Sequence, residues 1–415
     1  LVSHSRRRFL AAGLGALFIS GCKGPVISEP RLFNPCITTL PDSLQNHELM
    51  LSCWEGIDPE LVWDCHAHLV GVGDSDSGIE LSERMLSPLH PIQYVQRLFY
   101  LNAGCVHDAE GSVDRSYVAR LHNLVSGMPF GFKMMLFAFD RTHDSNGQPR
   151  SDLTPFHVPN DYARNVALAA PYWFEWVCSV HPYREDAIEV LEEASRQGAR
   201  AVKWLPPAMG IDPASAQCDA FYDALVRLDM PLITHVGEER AVVGAGRPIW
   251  GNPLRLRRAL DRGVRVVMAH CASTGEDVDL DQGPEGRRVS SFSLFRRLMG
   301  EKPYEQLLSG DISAITQRNR SDEVLRELLE QDEWHSRLLF GSDYPLPGVL
   351  PLTSPLLLAR QGVLEMSSVA FMTELRRHNP VLFDLALKRH LSSNGKRFAT
   401  SIFETRSFFD KSARI

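Results

Sequence analysis

The chain is predicted to be an α/β protein built on a (β/α)8 barrel of the TIM type, with an insertion after the first strand and a helical C-terminal extension. Three observations predict this. Short, nearly continuous apolar runs alternate with amphipathic stretches eight times along the sequence, the pattern of parallel strands buried on both faces. Chemically active polar residues fall at the C-terminal ends of those runs, where a barrel builds its active site. The 415 residues also exceed the roughly 250 that a barrel needs. An open, doubly wound sheet would account for the alternation but not for where the polar residues fall.

The strands are read in order as LVWDCHAH (61–68), FKMMLFAFD (132–140), FEWVCSVHP (174–182), ARAVKWLP (199–206), PLITHVGEE (231–239), VRVVMAHCAS (264–273), LLSGDISAI (307–315) and RLLFGSDYPLP (337–347). The long insertion after the first strand carries helical patterns near 92–100 and 115–125. Further helices are expected at 185–198, stopped by Gly198, and at 216–228, 253–263, 292–298 and 321–331. The organisation that follows is an N-terminal signal (1–22), a tether and edge segment covering the barrel floor (23–60), the barrel (61–390) and a tail (391–415), with the helical stretch 363–415 packing outside the barrel.

Composition narrows the class. With 44% hydrophobic residues the chain can bury a large core, and a net charge of -7 gives no basic face for nucleic acid. The run SRRRFLAAGLGALFISGC (5–22) places a basic cluster before a short apolar stretch and small residues. That is the layout of a secretory signal, too short for a stable membrane span. Its arginine pair resembles a twin-arginine export signal and Ile19-Ser20-Gly21-Cys22 resembles a bacterial lipobox. These resemblances imply an exported, periplasmic or cell-envelope protein, lipid-anchored through Cys22. The other seven cysteines have no CxxC spacing, so they form neither a disulfide framework nor a zinc ribbon. Cys65, Cys178 and Cys271 lie in apolar runs and are read as core residues, and Cys36 and Cys53 as a pair in an oxidising compartment.

The chemistry is carried by His66 and His68 at the end of the first strand, Lys203 on the fourth, His235 on the fifth, His270 on the sixth and Asp343 on the eighth. Residues i and i+2 of a strand share a side, so His66 and His68 can reach one ion. Each residue alone is weak evidence. Polar groups at equivalent points of five apolar strands need a common reason, because unpartnered buried polar groups cost several kcal/mol. A shared divalent ion, zinc above all, is that reason. Asp140, Arg141, His143, His181, Trp204, Glu238, Glu239 and Tyr344 are placed around the mouth. Of these, Arg141, His181, Trp204 and Tyr344 are taken as substrate contacts, although ordinary loop polarity explains each as well.

The motifs DCHAHL (64–69), LITHVGEE (232–239), VMAHCAS (267–273) and LLFGSDYP (338–345) together resemble the amidohydrolase superfamily. The resemblance is to its amidohydrolase-related (amidohydrolase 2) branch, which also holds enzymes like aminocarboxymuconate-semialdehyde decarboxylase. The stretch 181–206 fits that branch's third and fourth strands, and HNPVLFDL (378–385) resembles its closing helix, one residue shorter in spacing. The insertion, the tail and the export signal depart from the branch and leave the substrate open. The resemblance implies two site arrangements. In one, His66, His68, His235 and Asp343 hold a single ion and His270 orients or protonates the substrate. In the other, His66, His68 and Asp343 hold one ion, His235 and His270 a second, and a carbamylated Lys203 bridges them. The single ion is preferred. Asp343 is the general base towards an activated water, and His270 stabilises the oxyanion, or polarises the carbonyl if it is not a ligand. Hydrolysis of an amide, ester or lactone is the expected reaction, and nonoxidative decarboxylation of an aromatic or unsaturated acid the alternative. A non-catalytic, surface-anchored binding protein is the third reading. The partner is a small-molecule substrate, and a homo-oligomer is compatible with the sequence.

Overall fold

In a computed structural model, which describes residues 33–238, 242 and 247–410, all eight expected strands form. They are β1 (Trp63–His68), β2 (Lys133–Phe137), β3 (Phe174–Val177), β4 (Val202–Trp204), β5 (Leu232–His235), β6 (Val266–Ala269), β7 (Leu308–Asp311) and β8 (Leu338–Leu339). All neighbouring pairs run parallel, in one sheet ordered β1-β2-β3 and a second ordered β4 to β8. No continuous ladder joins the two sheets. Single parallel bridges, Cys178 with Val202 and Ala67 with Tyr344, cross the two seams. Backbone hydrogen bonds from Lys203 N to Cys178 O and from His68 N to Tyr344 O, both 2.8 Å, strengthen them. The strands thus follow one another around a (β/α)8 ring in chain order.

Helices supply the crossovers. The insertion between β1 and β2 carries α1 (Pro91–Ala103) and α2 (Val113–Val125). Then come α3 (Asn160–Ala169), α4 (Ala187–Arg196), α5 (Asp219–Arg227), α6 (Arg257–Asp261), α7 (Ser291–Met299) and α8 (Asp322–Glu330), with α9 (Val369–His378) and α10 (Pro380–His390) closing the series. The Asn-Pro motif is a helix start. Asn379 Oδ1 caps α10 by accepting from Leu382 N at 3.0 Å, while its Nδ2 donates to Leu124 O of α2 at 2.8 Å, and Pro380 occupies the first helical position, where no N–H is needed.

Alternate strand residues, among them Cys65, Met135, Phe137, Val177, Ile233, Val267 and Leu339, pack in the barrel interior together with Phe409. That last residue corrects the expectation for the tail. Thr405 takes both a donor and an acceptor of Trp63 at the start of β1, and the Arg265 guanidinium lies 5.0 Å from the Phe408 ring. The residues around 405–410 therefore close the barrel floor. The segment before β1 reaches this tail at its end, where Asp58 N donates to Glu404 Oε1 at 3.0 Å, while further back Ile37 N donates to Arg377 O at 3.2 Å and His47 stacks on Phe371 at 4.4 Å.

The cysteine pairing is also corrected. Cys36 is bonded to Cys105, with Cα atoms 5.5 Å apart, and Cys53 is a free, buried thiol. Asn34 N donates to Asn102 Oδ1 at 2.9 Å, which lays the N-terminal segment beside the end of α1 and brings Cys105 to Cys36. Cys53 instead ends a short helix (Glu48–Cys53) inside the core. Cys65, Cys178 and Cys271 are fully buried. Among the described residues, no helix is long and apolar enough to cross a membrane. Cys22 and Glu239 lie outside the described residues.

Candidate metal centre

The site begins with an irregularity in β1. The pairing of β1 with β2 shifts register between Asp64 and Ala67. Strict alternation would send His66 away from the interior that holds Cys65. The shift turns it inward, 4.9 Å from the Phe137 ring, with His68 beside it at 5.3 Å from the same ring. Such irregularities re-aim side chains where a strand meets a site.

The end of β1 is tied to the loop after β8. Asp64 Oδ1 accepts from both His66 N, at 3.2 Å, and Ser342 N, at 2.8 Å, and Asp343 N donates to His66 O at 2.7 Å. Close approach requires Gly341, where a Cβ would sit 2.6 Å from His66 Cβ. Asp343 itself adopts φ 60, an uncommon backbone for a non-glycine residue. The outcome is a cluster in which His68 Nε2 and His66 Nε2 lie 3.2 and 3.5 Å from Asp343 Oδ1.

A second aspartate fixes the ring of His66. Its Nδ1–H donates to Asp311 Oδ2 at 2.9 Å, so the Nε2 lone pair faces Asp343. Asp311 ends β7 and is fully buried, and its other oxygen accepts from His270 N and Ser313 N, both at 3.0 Å. Sequence reading passed over this residue, although it carries the same signal as the others: a charge at the end of an apolar strand.

His270 opens a run of three left-handed residues, with φ 57, 50 and 50 for His270, Cys271 and Ala272. Its Nδ1 lies 2.7 Å from Ser313 Oγ and 3.2 Å from Ser313 O. A carbonyl can only accept, so Nδ1 carries the proton and Nε2 offers a lone pair. That removes the oxyanion-donor role expected for His270. The His270 ring stands 5.0 Å from that of His66 and 5.4 Å from that of His235. Lys203 Nζ donates to His66 Nε2 at 3.1 Å and lies 4.8 Å from the Phe137 ring.

Electrostatics keep His66, His235 and His270 neutral. Burial first, then Lys203, pushes His66 well below its ordinary pKa, and burial with Arg320 does the same to His270. His235 is lowered to about 3 by burial, Lys203 and Arg320. For Asp343, burial pushes the carboxyl up, but the hydrogen bond from His68 and the neighbouring His66 and Lys203 outweigh it. The result is a carboxylate held below its usual range. Neutral imidazole and ionised carboxylate are the forms that bind metal. His66, His68 and Asp343 offer ligand atoms all within 4.8 Å of one another, and so do His66, His270 and Asp311. In the second group the His66 and Asp311 atoms are already joined by a hydrogen bond.

One cavity of about 160 Å³ gathers His66, His68, Lys203, His235, His270 and Asp343, with Glu238 and Arg320 on its wall. The four residues expected to contact substrate do not line it. Arg141 is engaged by Glu80, at 2.6 and 3.0 Å. His181 is buried with its Nε2 on Met209 O at 3.0 Å. Trp204 follows the inward Lys203, so alternation turns it to the helix layer, against Phe221 and Tyr222. Tyr344 is buried against Tyr117, with ring centroids 5.9 Å apart. Asp140 and His143 also point away, onto Arg184 and the Arg141 carbonyl.

A (β/α)8 ring whose strand ends gather histidines, a lysine and an aspartate around one cavity defines an enzyme of the barrel class. The chain belongs to the amidohydrolase family, whose model, described as Amidohydrolase, matches residues 63–362. It is accordingly an enzyme of the amidohydrolase superfamily, with His and Asp groups that can hold a metal. No curated protein matches it in sequence. It is similar to a TIM-barrel protein from Bordetella bronchiseptica at 16% identity, covering 69% of this chain and 86% of that one, with a TM-score of 0.42. A probable 2-pyrone-4,6-dicarboxylic acid hydrolase from Acinetobacter baumannii matches at 14% identity over 68% of this chain and 84% of its own, with a TM-score of 0.40. A 5-carboxyvanillate decarboxylase from Sphingomonas paucimobilis matches at 12% over 78% and 96%, with a TM-score of 0.38.

Proposed function

We propose that this enzyme is a metal-dependent hydrolase of an amide, ester or lactone bond. The observation that carries the reading is the Asp343 carboxylate, buried and held ionised 3.2 Å from His68 Nε2 and 3.5 Å from His66 Nε2. His66, His68 and Asp343 fit a divalent ion, zinc above all by donor chemistry, with His235 beside them in the same cavity. Such an ion supplies Lewis acidity and makes water acidic enough to react at neutral pH. Asp343 takes the proton of the attacking water and returns it to the leaving group. Asp311 holds His66 in the tautomer that points Nε2 inward, and Ser313 does the same for His270. Lys203 and Arg320 are the cations lining the inner wall beside the histidines, so they meet the developing negative charge. Lys203 also donates to the His66 lone pair that an ion would take, and must give up that bond when the site fills. One ion is favoured, because in the second group the His66 and Asp311 atoms are already joined by a hydrogen bond.

Elemental analysis of the purified protein, together with turnover on a panel of amides, esters and lactones, tests this. About one divalent ion per chain with hydrolysis supports it. Carbon dioxide release from an aromatic carboxylate panel without hydrolysis overturns it in favour of decarboxylation. Export stands as a second proposal, carried by the sequence of residues 5–22: Cys22 becomes the lipidated first residue of a cell-envelope protein. An unprocessed, unlipidated N-terminus in the mass spectrum of the cell-derived protein would refute it.

A further inference from the structure

The insertion after β1 places a cation in the catalytic cavity. On α1, Arg97, Tyr100 and Leu101 line that cavity from one helix face, at the i, i+3, i+4 spacing that puts side chains together. Arg97 Nε is buried without a hydrogen-bond partner. The guanidinium lies 5.3 Å from the ring of Tyr94, one turn earlier. Among the described residues no carboxylate pairs with it, and α1 itself carries no acid. Arg141, by contrast, is neutralised by Glu80 outside the cavity. Most of the lining around Arg97 is apolar, with Ile79, Met85, Leu101, Phe139, Phe156 and Val158 among it. Among the described residues, the cavity's charged groups are Lys203, Arg97 and Arg320 against Asp343 and Glu238, an excess of positive charge among them before any ion binds.

We propose that Arg97 is a specificity-determining residue that binds a carboxylate remote from the reacting bond, so that the substrate is an anion with an apolar body. An arginine half-buried against hydrocarbon gains most from a ligand that matches its planar fork with two oxygens. The apolar walls gain from the ligand body between the two ends. Which end reacts rests on the hydrolase reading; the carboxylate contact does not.

Binding of two probes to the full chain tests this without turnover. These are 4-phenylbutyrate and its neutral counterpart 4-phenylbutan-1-ol, titrated calorimetrically into the wild type, Arg97→Met and Arg97→Lys. The wild type is expected to prefer the acid by roughly 10- to 100-fold, the range of a charge-assisted hydrogen-bonded contact. Arg97→Met is expected to lose the preference and Arg97→Lys to keep part of it, with circular dichroism melts verifying that both fold. The wild-type preference should also shrink as salt is raised, a readout that needs no variant. Equal binding of the probes, binding of neither, or a preference that survives Arg97→Met overturns the proposal. In the last case the carboxylate would be going to the histidine cluster instead. Arg97-dependent preference in a protein that hydrolyses nothing sinks the hydrolase reading and leaves this one standing; hydrolysis without the preference does the reverse.

Discussion

Replacing Asp311 by Asn removes almost no volume, yet it should disable the site. In the wild type, Asp311 Oδ2 accepts from His66 Nδ1 at 2.9 Å, while Oδ1 accepts from His270 N and Ser313 N at 3.0 Å and from the Ser313 hydroxyl. The carboxylate thus receives four donors. An amide has one accepting oxygen, which the two backbone N–H groups will claim. Its NH2 then faces His66 Nδ1–H, donor against donor. The conflict is relieved when the His66 proton moves to Nε2, the atom 3.5 Å from Asp343 Oδ1, and the inward lone pair is lost. Losing the partner that orients a ligating histidine typically costs 10- to 100-fold in ion affinity, which is about 1.4–2.7 kcal/mol. Chelator competition against wild type and Asp311→Asn, with zinc content read at each step, measures it. Turnover should fall in parallel where the ion is limiting. Wild-type affinity in a folded Asp311→Asn protein would refute the tautomer argument.

Further outcomes follow from the same geometry. Asp343→Asn keeps the fold and lowers kcat by roughly 10²–10⁴, the usual worth of a positioned proton acceptor; a wild-type rate rejects the assignment. Gly341→Ala forces a Cβ to 2.6 Å from His66 Cβ, and the overpacking should cost about 1–3 kcal/mol in urea denaturation, with ion retention reduced as β1 shifts. Breaking the Cys36–Cys105 bond, which spans 69 residues, should cost up to about 4 kcal/mol by chain entropy; an unchanged melting temperature in reductant counts against the pairing. Stability of the ion-free protein should fall on acidification from about pH 6.5 towards 4. His181 and His235, both lowered to about 3, with His66 and His270, also lowered, stay neutral in the fold while their unfolded counterparts take up protons. Asp64 and Asp384, raised to about 6 and about 7 by burial, act in the opposite sense. They are outnumbered, so a urea midpoint that rises between pH 6.5 and 5 would contradict the balance.

The sequence alone determined the order of the strands and the strand-end positions of the six residues that meet in the cavity. Strand-end position is a property of the chain: an apolar run long enough to be a strand, with His66, Lys203, His235, His270 or Asp343 at its C-terminal end, can put that residue only at the mouth of a parallel barrel. Flanking residues were another matter. Whether Arg141 or Arg97 faces the cavity depends on who else is near, and Glu80, brought over by a short ribbon between 80–81 and 156–157, removes Arg141 from play. Trp204 was lost to strand alternation, which sequence could have applied. The register shift in β1 could not have been read, because it is a relation between two strands and leaves no mark on either one. The partner of Cys36 was likewise decided by contacts 68 residues away, between Asn34 and Asn102. Local pattern fixes which residues a strand can present, because the pleat is local. Which way they turn, and what neutralises them, is settled by neighbours distant in the chain, and only the packed structure contains those.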